Sequence, residues 1–385
     1  MLTPEVQQFI NANVGGNLTR LALQKNPFPE LEWPAVVGQI AAKTKAKDKL
    51  PTWFAAPGIL YPSKISVEQT SSEVTARYKS EIVSGNSLID LTGGFGVDDY
   101  YFARRIETVV HCERDPELSR IAGHNFEKLG VPIRCESGDS TQILSSLNRR
   151  FDWIFIDPSR RHEAKGKVFL LGDCEPDVPS LLEFYFRYSD RILIKTAPLL
   201  DIAAGLSELR DVREIHVVAV DNEVRELLWV IEKGFNESVN VKAVNLLQDK
   251  TLKFNFNWNE PAEAVLSEPK KYLYEPNAAI MKSGGFNPVS QQYALAKLHP
   301  HSHLYTSDSR IDFPGRVFEI RQVIRYSKAS MKPFQGTKAN VTTRNFPESV
   351  EMIRKKYKIR DGGPTYCFFT TDMKNAKIVL ICAKI

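Results

Sequence analysis

"SLIDLTGGFGVDDYYFA", Ser87 to Ala103, decides the fold. An apolar run ends on Asp90, three glycines follow at Gly93, Gly94 and Gly96, and a helix-forming segment opens at Val97. A strand hands over to a helix in this way in an open parallel sheet, where ligands bind outside the carboxyl ends of the strands and the first turn cradles them. Glycines remove side chains where a backbone must approach a ligand, and a helix N-terminus points its N–H groups at it. The spacing is G-G-x-G rather than G-x-G-x-x-G, and no Lys followed by Ser or Thr closes the turn as in a phosphate-binding loop. A nucleoside without a pyrophosphate therefore suits this turn better than a dinucleotide or a triphosphate.

Outward from the turn, β-rich runs recur between about residues 87 and 235: "SLIDLTG", "TVVHCERD", "PIRCESGD", "DWIFIDP", "RILIKTA", "EIHVVAV" and "ELLWVIEK". The first five are spaced as βαβ crossovers, which require a parallel sheet with helices on both faces. The last two are joined only by "DNEVR", too short for a crossover, so they are expected as an antiparallel hairpin at one edge; turn chemistry accounts for Asp221 and Asn222 there. Upstream, residues 1–80 read as a helical domain broken by Pro27, Pro29 and Pro34, with "SVEQTSSEVTARYKSEIV" a helix leading into the domain over 81–240. Downstream, 241–315 reads as a linking or capping region of polar segment, loop and helix. Residues 316–385 read as a basic α+β domain, with "RVFEIRQVIRY" β-like, "SVEMIRKKYKI" helical, and "TYCFFTT" and "KIVLICAKI" as strands.

The polar residues at the strand ends carry the chemistry. Glu113 lies about 20 residues past the turn, where a carboxylate can accept hydrogen bonds from both ribose hydroxyls. Asp139, beside Ser140, suits an adenine amino group. "FIDPSR" places Asp157, Pro158, Ser159 and Arg160 after the fourth strand. These ordered motifs, from "DLTGGFG" through Glu113 and Asp139 to "FIDPSR", resemble those of the class I S-adenosylmethionine-dependent methyltransferases over roughly residues 88–233. The resemblance implies an α/β, Rossmann-like seven-stranded methyltransferase sheet ending in an antiparallel hairpin. It implies S-adenosyl-L-methionine as cofactor, with its methionine moiety near Asp90, Thr92, Gly93, Gly94 and Gly96, its ribose on Glu113 and its adenine near Asp139 and Ser140. "YEPNAAIMKSG" and the basic tail further resemble a bacterial RNA methyltransferase-like group with a helical N-terminal region and a THUMP-like C-terminal domain.

In amino methyltransferases of that family the fourth-strand tetrapeptide is Asp or Asn, Pro, Pro, then an aromatic. Asp157 and Pro158 match; Ser159 and Arg160 do not. Methyl transfer to nitrogen needs a lone pair aimed in line at the sulfonium methyl, and Asp157 is the residue to orient it. An Arg guanidinium can lie on a base where the aromatic is missing. Arg161, His162, Lys165 and Lys167 continue as a cationic loop, in which His162 is either a base or a solvated side chain. Lys195, at the end of the fifth strand, either contacts substrate or caps the sheet.

The 385-residue length exceeds one compact core, and the net charge of +5 permits an anionic partner without requiring one. The distribution of charge decides more. From Arg321 to Arg360 eleven lysines and arginines face two acids, an excess larger than that of the whole chain, with Tyr326, Phe334, Phe346 and Tyr357 available for stacking or packing. Such polarisation is a footprint for RNA. Five scattered cysteines without a CxxC pair exclude a zinc ribbon or a disulfide framework, and the alternating His299, His301 and His303 lack a zinc-site spacing, so no metal is expected. No basic-then-apolar leader and no run of about 18 apolar residues occurs, so a cytoplasmic protein without a membrane partner is expected. The combined expectation is an S-adenosylmethionine-dependent methyltransferase acting on a base nitrogen in tRNA or rRNA. Two alternatives stand beside it: a protein or small-molecule methyltransferase, and a non-catalytic RNA-binding protein with a degenerate site.

Overall fold

Caps and prolines set the helices of the N-terminal segment in the computed structural model, which describes residues 3–160 and 170–385. Helix α1 (Pro4–Ala12) begins behind Thr3, whose hydroxyl accepts the Val6 amide, and α2 (Trp33–Lys49) carries Pro34 in its first turn, where a missing N–H costs nothing. Helix α3 (Glu73–Ile82) starts at Ser72, whose Oγ accepts the Thr75 amide at 3.2 Å. The stretch "SVEQTSSEVTARYKSEIV" is therefore two helices, Lys64–Gln69 and α3, rather than one, because the Ser72 cap restarts the helix.

Alternating apolar strands and helices follow: β1 (Ser87–Asp90), α4 (Val97–Phe102), β2 (Thr108–Glu113), α5 (Pro116–Leu129), β3 (Arg134–Ser137), α6 (Ser140–Leu147), β4 (Trp153–Ile156), α7 (Val178–Tyr185), β5 (Arg191–Thr196), α8 (Ile202–Glu208), β6 (Val212–Val220) and β7 (Glu223–Glu232). Strand β1 is parallel to β2 and β4, β2 to β3, and β4 to β5, whereas β7 runs antiparallel to β5 from Arg191↔Glu232 to Thr196↔Leu227. Every residue of β4 is buried, as helices on both faces demand. Asp221 and Asn222, between β6 and β7, both sit in the left-handed region at φ 49° and 66°.

The remainder comprises β8 (Asn240–Leu246), β9 (Thr251–Asn257), β10 (Tyr272–Pro276), α9 (Ala278–Ser283), α10 (Phe286–Gln292), β11 (Ala296–Lys297), β12 (Tyr305–Ser307), β13 (Gly315–Arg325), β14 (Asn340–Arg344), α11 (Val350–Tyr357), β15 (Thr365–Thr371) and β16 (Lys377–Lys384). The larger sheet has the order β9-β8-β6-β7-β5-β4-β1-β2-β3, nine strands rather than the seven expected. The two additional strands, "NVKAVNL" and "TLKFNFN", mix polar with apolar positions and so read as polar chain; in β8 Val241 and Ala243 are buried between the half-buried Asn240 and Lys242. The second sheet has the order β11-β12-β10-β13-β16-β15-β14. The segment expected as loop and helix thus supplies strands to both sheets.

The chain divides into two compact units, Met1–Arg213 with Leu227–Glu237, and Glu214–Glu226 with Ser238–Ile385. In the first, Trp53, Tyr61, Val67 and Ala76 of the N-terminal segment share one buried cluster with Phe95, Tyr100 and Tyr101 beside the glycine turn and Ile121 and Phe126 of α5. Burial of that apolar surface holds the N-terminal helices on the side of the sheet that carries the turn. In the second unit, Ile353 and Tyr357 of α11 pack on Val341, Cys367, Phe369 and Val379, with Tyr326, Phe334 and Phe346 against them. These four aromatic residues of the tail serve its core.

Gly96 caps α4 at φ +80°, and a Cβ there would lie 2.3 Å from the Phe126 ring. Gly96→Ala is expected to cost about 2–4 kcal/mol of stability, from overpacking plus left-handed strain, in urea unfolding. A variant as stable as the parent would contradict this close packing.

Candidate active site

At the carboxyl ends of β1 to β4 lies a cavity of about 690 Å³. Its lining includes Asp90, Thr92, Gly93, Gly94, Glu113, Asp139, Ser140, Asp157 and Ser159, so most of the sequence-derived candidates are brought together. Gly96, Pro158 and Arg160 are not part of the lining. Gly96 faces Phe126, Pro158 is buried, and Arg160 is exposed in a short ladder pairing Ser159–Arg160 with Cys174–Glu175. Arg161, His162, Lys165 and Lys167 lie outside the described residues.

The turn is fastened at both ends. Asp90 Oδ1 accepts the Thr92 amide at 2.7 Å and the Thr92 hydroxyl at 3.1 Å, and the same hydroxyl accepts the Asp157 amide at 2.7 Å. Gly93 N–H donates to the Cys112 carbonyl at 2.7 Å, and Gly94 N–H donates to Glu113 Oε2 at 2.9 Å. Glu113 Oε1 accepts the Asp115 amide at 2.8 Å, so each carboxylate oxygen holds one amide and keeps a lone pair for a further donor. Gly94, at φ +58°, has no atom within 3.7 Å of where a Cβ would sit, which leaves its side of the turn open.

Asp139 is the N-cap of α6. Its Oδ1 takes the amides of Thr141 and Gln142, both at 3.0 Å, and the Thr141 hydroxyl, and the last of these above all holds its carboxyl below the usual carboxylate range. All three bonds fall on one oxygen. Asp157 Oδ2 accepts from Lys195 Nζ at the end of β5, so Lys195 neither stands free nor merely caps the sheet.

Beneath the turn is a set of buried polar groups that the sequence reading did not single out. His111 Nδ1 lies 2.7 Å from Asp99 Oδ2, both side chains fully buried. The fully buried Lys79 contacts Asp98 at 3.1 Å, and Ser71 Oγ donates to Asp98 at 2.7 Å. Burial pushes the carboxyls of Asp90 and Asp99 well up, reinforced for Asp90 by the charge of Asp99 and for Asp99 by that of Asp98. Burial also pushes His111 down, towards the neutral imidazole. The available signal was a histidine inside the apolar run "TVVHCE", since an interior polar residue needs a partner. His111 also explains Gly93: a Cβ there would come within 2.1 Å of Nδ1.

Among the described residues, no group of three or more His, Cys, Asp or Glu side chains is placed to hold a metal. His299 engages Asn375 through Nε2 at 3.1 Å and Asn345 through Nδ1 at 3.0 Å, while His303 stacks on Phe286. In the basic tail, Arg321, Arg344, Arg354 and Lys356 pair with Glu319, Glu275, Asp361 and Glu348. Arg325, Lys328, Lys332, Lys338, Lys355, Lys358 and Arg360 are exposed.

Two family models match the C-terminal half, a ferredoxin-like domain over residues 272–314 and a THUMP domain-like module over 315–384. No curated protein matches the chain. Among solved structures, a protein of Porphyromonas gingivalis W83 described as a "putative methyltransferase" is 31% identical, with a TM-score of 0.89 over 99% of this chain and 97% of its own. The tRNA (uracil-54, C5)-methyltransferase of Pyrococcus abyssi, in complex with S-adenosyl-L-homocysteine, is 20% identical over 45% of this chain and 40% of its own. Its TM-score of 0.32 is too low to bear on function.

Because Asp90 and Asp99 are raised, these two groups bind more protons in the folded chain than in the unfolded chain above the ordinary carboxylate pKa of about 4, and the stability they contribute falls as pH rises through that window. Asp99→Asn removes one of these acids and keeps an acceptor for His111. Its stability, from urea unfolding between about pH 4 and 7, is expected to fall less steeply than the parent's; an identical slope would contradict the buried carboxyl pair.

Proposed function

The chain belongs to the family of the Porphyromonas protein, class I S-adenosylmethionine-dependent methyltransferases with a THUMP-like C-terminal domain, and from that premise we propose that it methylates a base nitrogen in RNA. The observation that carries the reading is the convergence of Asp90, Glu113, Asp139 and Asp157, from the ends of four consecutive strands, on one cavity. Cavities of this size accommodate a nucleoside-sized ligand.

The donor set fits S-adenosyl-L-methionine. Glu113 keeps a lone pair on each oxygen for the two ribose hydroxyls, and Asp139 has one oxygen without an intramolecular bond for the adenine amino group, with Ser140 beside it. Asp90, Thr92, Gly93 and Gly94 form the methionine end, where Gly94 leaves room for the ligand. When bound, the cofactor supplies an electrophilic methyl group on a sulfonium. Asp157 then orients the acceptor: its amide is fixed on Thr92 and its carboxylate on Lys195, so the oxygen that accepts from the target amine is held in place. Lys195 donates to that carboxylate and so fixes its orientation.

Ser159 and Arg160 supply neither the second proline nor the aromatic platform of amino methyltransferases, and this departure favours the rival reading of a non-catalytic RNA-binding protein. The exposed tail cations, Arg325, Lys328, Lys332, Lys338, Lys355, Lys358 and Arg360, would hold RNA through its phosphates in either case.

Mass spectrometry of RNA nucleosides from cells with and without the gene separates the readings. One methylated nucleoside is expected to disappear, to return with the parent gene, and to stay at least roughly a hundredfold lower in the rate of return with Asp157→Ala. An unchanged profile, or full restoration by Asp157→Ala, would overturn the proposal.

A further inference from the structure

The second unit contains a cavity of about 550 Å³ that the methyl-transfer reading does not use. Its walls come from β9 and the residue after it, from the start of α10, from β11 and from the histidine-rich loop that follows: Phe256, Trp258, Phe286, Lys297, His301 and His303. Five of these six side chains are rings, and the sixth is a lysine in an unusual state.

Lys297 is 2% exposed. Its ammonium donates to the Pro300 carbonyl at 2.9 Å and to Asn287 Oδ1 at 3.3 Å, which leaves one of its three N–H groups without an acceptor among the described residues. Both acceptors are neutral. A buried charge without a counter-ion is costly, and burial accordingly lowers the ammonium's pKa. The neighbouring charges are also positive: Lys297, His301 and Arg344 join burial in pushing His303 down to about 4. Among the described lining residues Glu260 is the one acid, and it is exposed at the rim. The cavity's one described acid therefore stands at its rim, away from the buried Lys297.

Its walls favour a flat ligand. The rings of Phe286 and His303 stack with centroids 3.5 Å apart and an interplanar angle of 16°, and Lys297 Nζ stands 5.9 Å from the Phe286 centroid. Trp258 and Phe256 are half-buried at the same cavity. His303 Nδ1 is buried and has no hydrogen-bond partner among the described residues. Aromatic faces stack on any nucleobase, and a cation beside them takes its phosphate.

We propose that this cavity is a nucleotide-binding site, in which a base stacks against the Trp258 and Phe286 rings and its phosphate accepts from Lys297. The phosphorylated base comes either from an RNA strand or from a free nucleotide. The site belongs to the second unit and does not rest on methyl transfer by the first.

The test uses the full chain saturated with S-adenosyl-L-homocysteine, so that the first cavity is blocked, and titrates it with UMP, uridine and a fluorescent oligouridylate of about ten nucleotides. The parent is expected to bind UMP or the oligonucleotide more tightly than uridine. Binding of the oligonucleotide alone identifies a strand as the source, and equal binding of UMP identifies a free nucleotide. Lys297→Met is expected to lose about tenfold or more in affinity and to melt no lower than the parent, because it removes an uncompensated buried charge. Trp258→Ala, at a half-buried position, is expected to weaken binding similarly and keeps the test intact if Lys297→Met does not fold. Asp157→Ala is expected to bind as the parent does, which separates this site from the proposed reaction. No binding of either phosphorylated probe at millimolar concentration, or unchanged affinity in Lys297→Met or Trp258→Ala, would overturn the inference.

Discussion

One hydroxyl joins two of the strand ends that line the cavity of the first unit. Thr92 Oγ1 donates to Asp90 and accepts from the Asp157 amide, so the turn after β1 and the tetrapeptide after β4 cannot move independently. Gly94 extends the same tie to β2 through Glu113, and Lys195 extends it to β5 through Asp157. Four strand ends are thus held in one hydrogen-bonded frame around the cavity. A parallel sheet places these ends side by side, but it does not fix their side chains. The frame does, and preorganisation of this kind is what positioning catalysis requires.

The frame rests on groups that are expensive to bury. Asp90, Asp99 and His111 lie in the interior, where burial holds the acids towards their neutral forms and His111 Nδ1 lies within hydrogen-bond distance of Asp99. From the N-terminal segment, Ser71 donates to Asp98 and Lys79 stands 3.1 Å from its other oxygen. That segment also shares its apolar cluster with α4 and α5, so both polar and apolar contacts make the floor of the cavity a joint product of the N-terminal helices and the sheet.

Much of this was legible in the sequence, because parallel strands buried on both faces are continuous apolar runs and the residues that line the cavity sit at their ends. The glycine turn, Glu113, Asp139, Asp157 and the order of β1 to β5 could be read in that way. Strands β8 and β9 escaped because their mixed polar and apolar sequence resembles loop. Glycine and acid positions carried more than one cause: Gly93 and Gly96 make room for His111 and Phe126, and Asp139 caps a helix while lining the cavity. A one-dimensional pattern does not separate such causes. The tail aromatics and the Asp157–Lys195 pair depend on contacts between residues distant in sequence, which composition and spacing do not encode.

The first cavity is the proposed cofactor site, with Glu113 the carboxylate that keeps a lone pair on each oxygen for a diol. Calorimetric titration with S-adenosyl-L-methionine of the parent and of Glu113→Ala tests this directly. Saturable binding by the parent, weakened roughly tenfold or more in the folded variant, is the predicted result, as the loss of hydrogen bonds to a charged acceptor implies. Absence of binding at millimolar cofactor, or equal affinity in the two proteins, would contradict it.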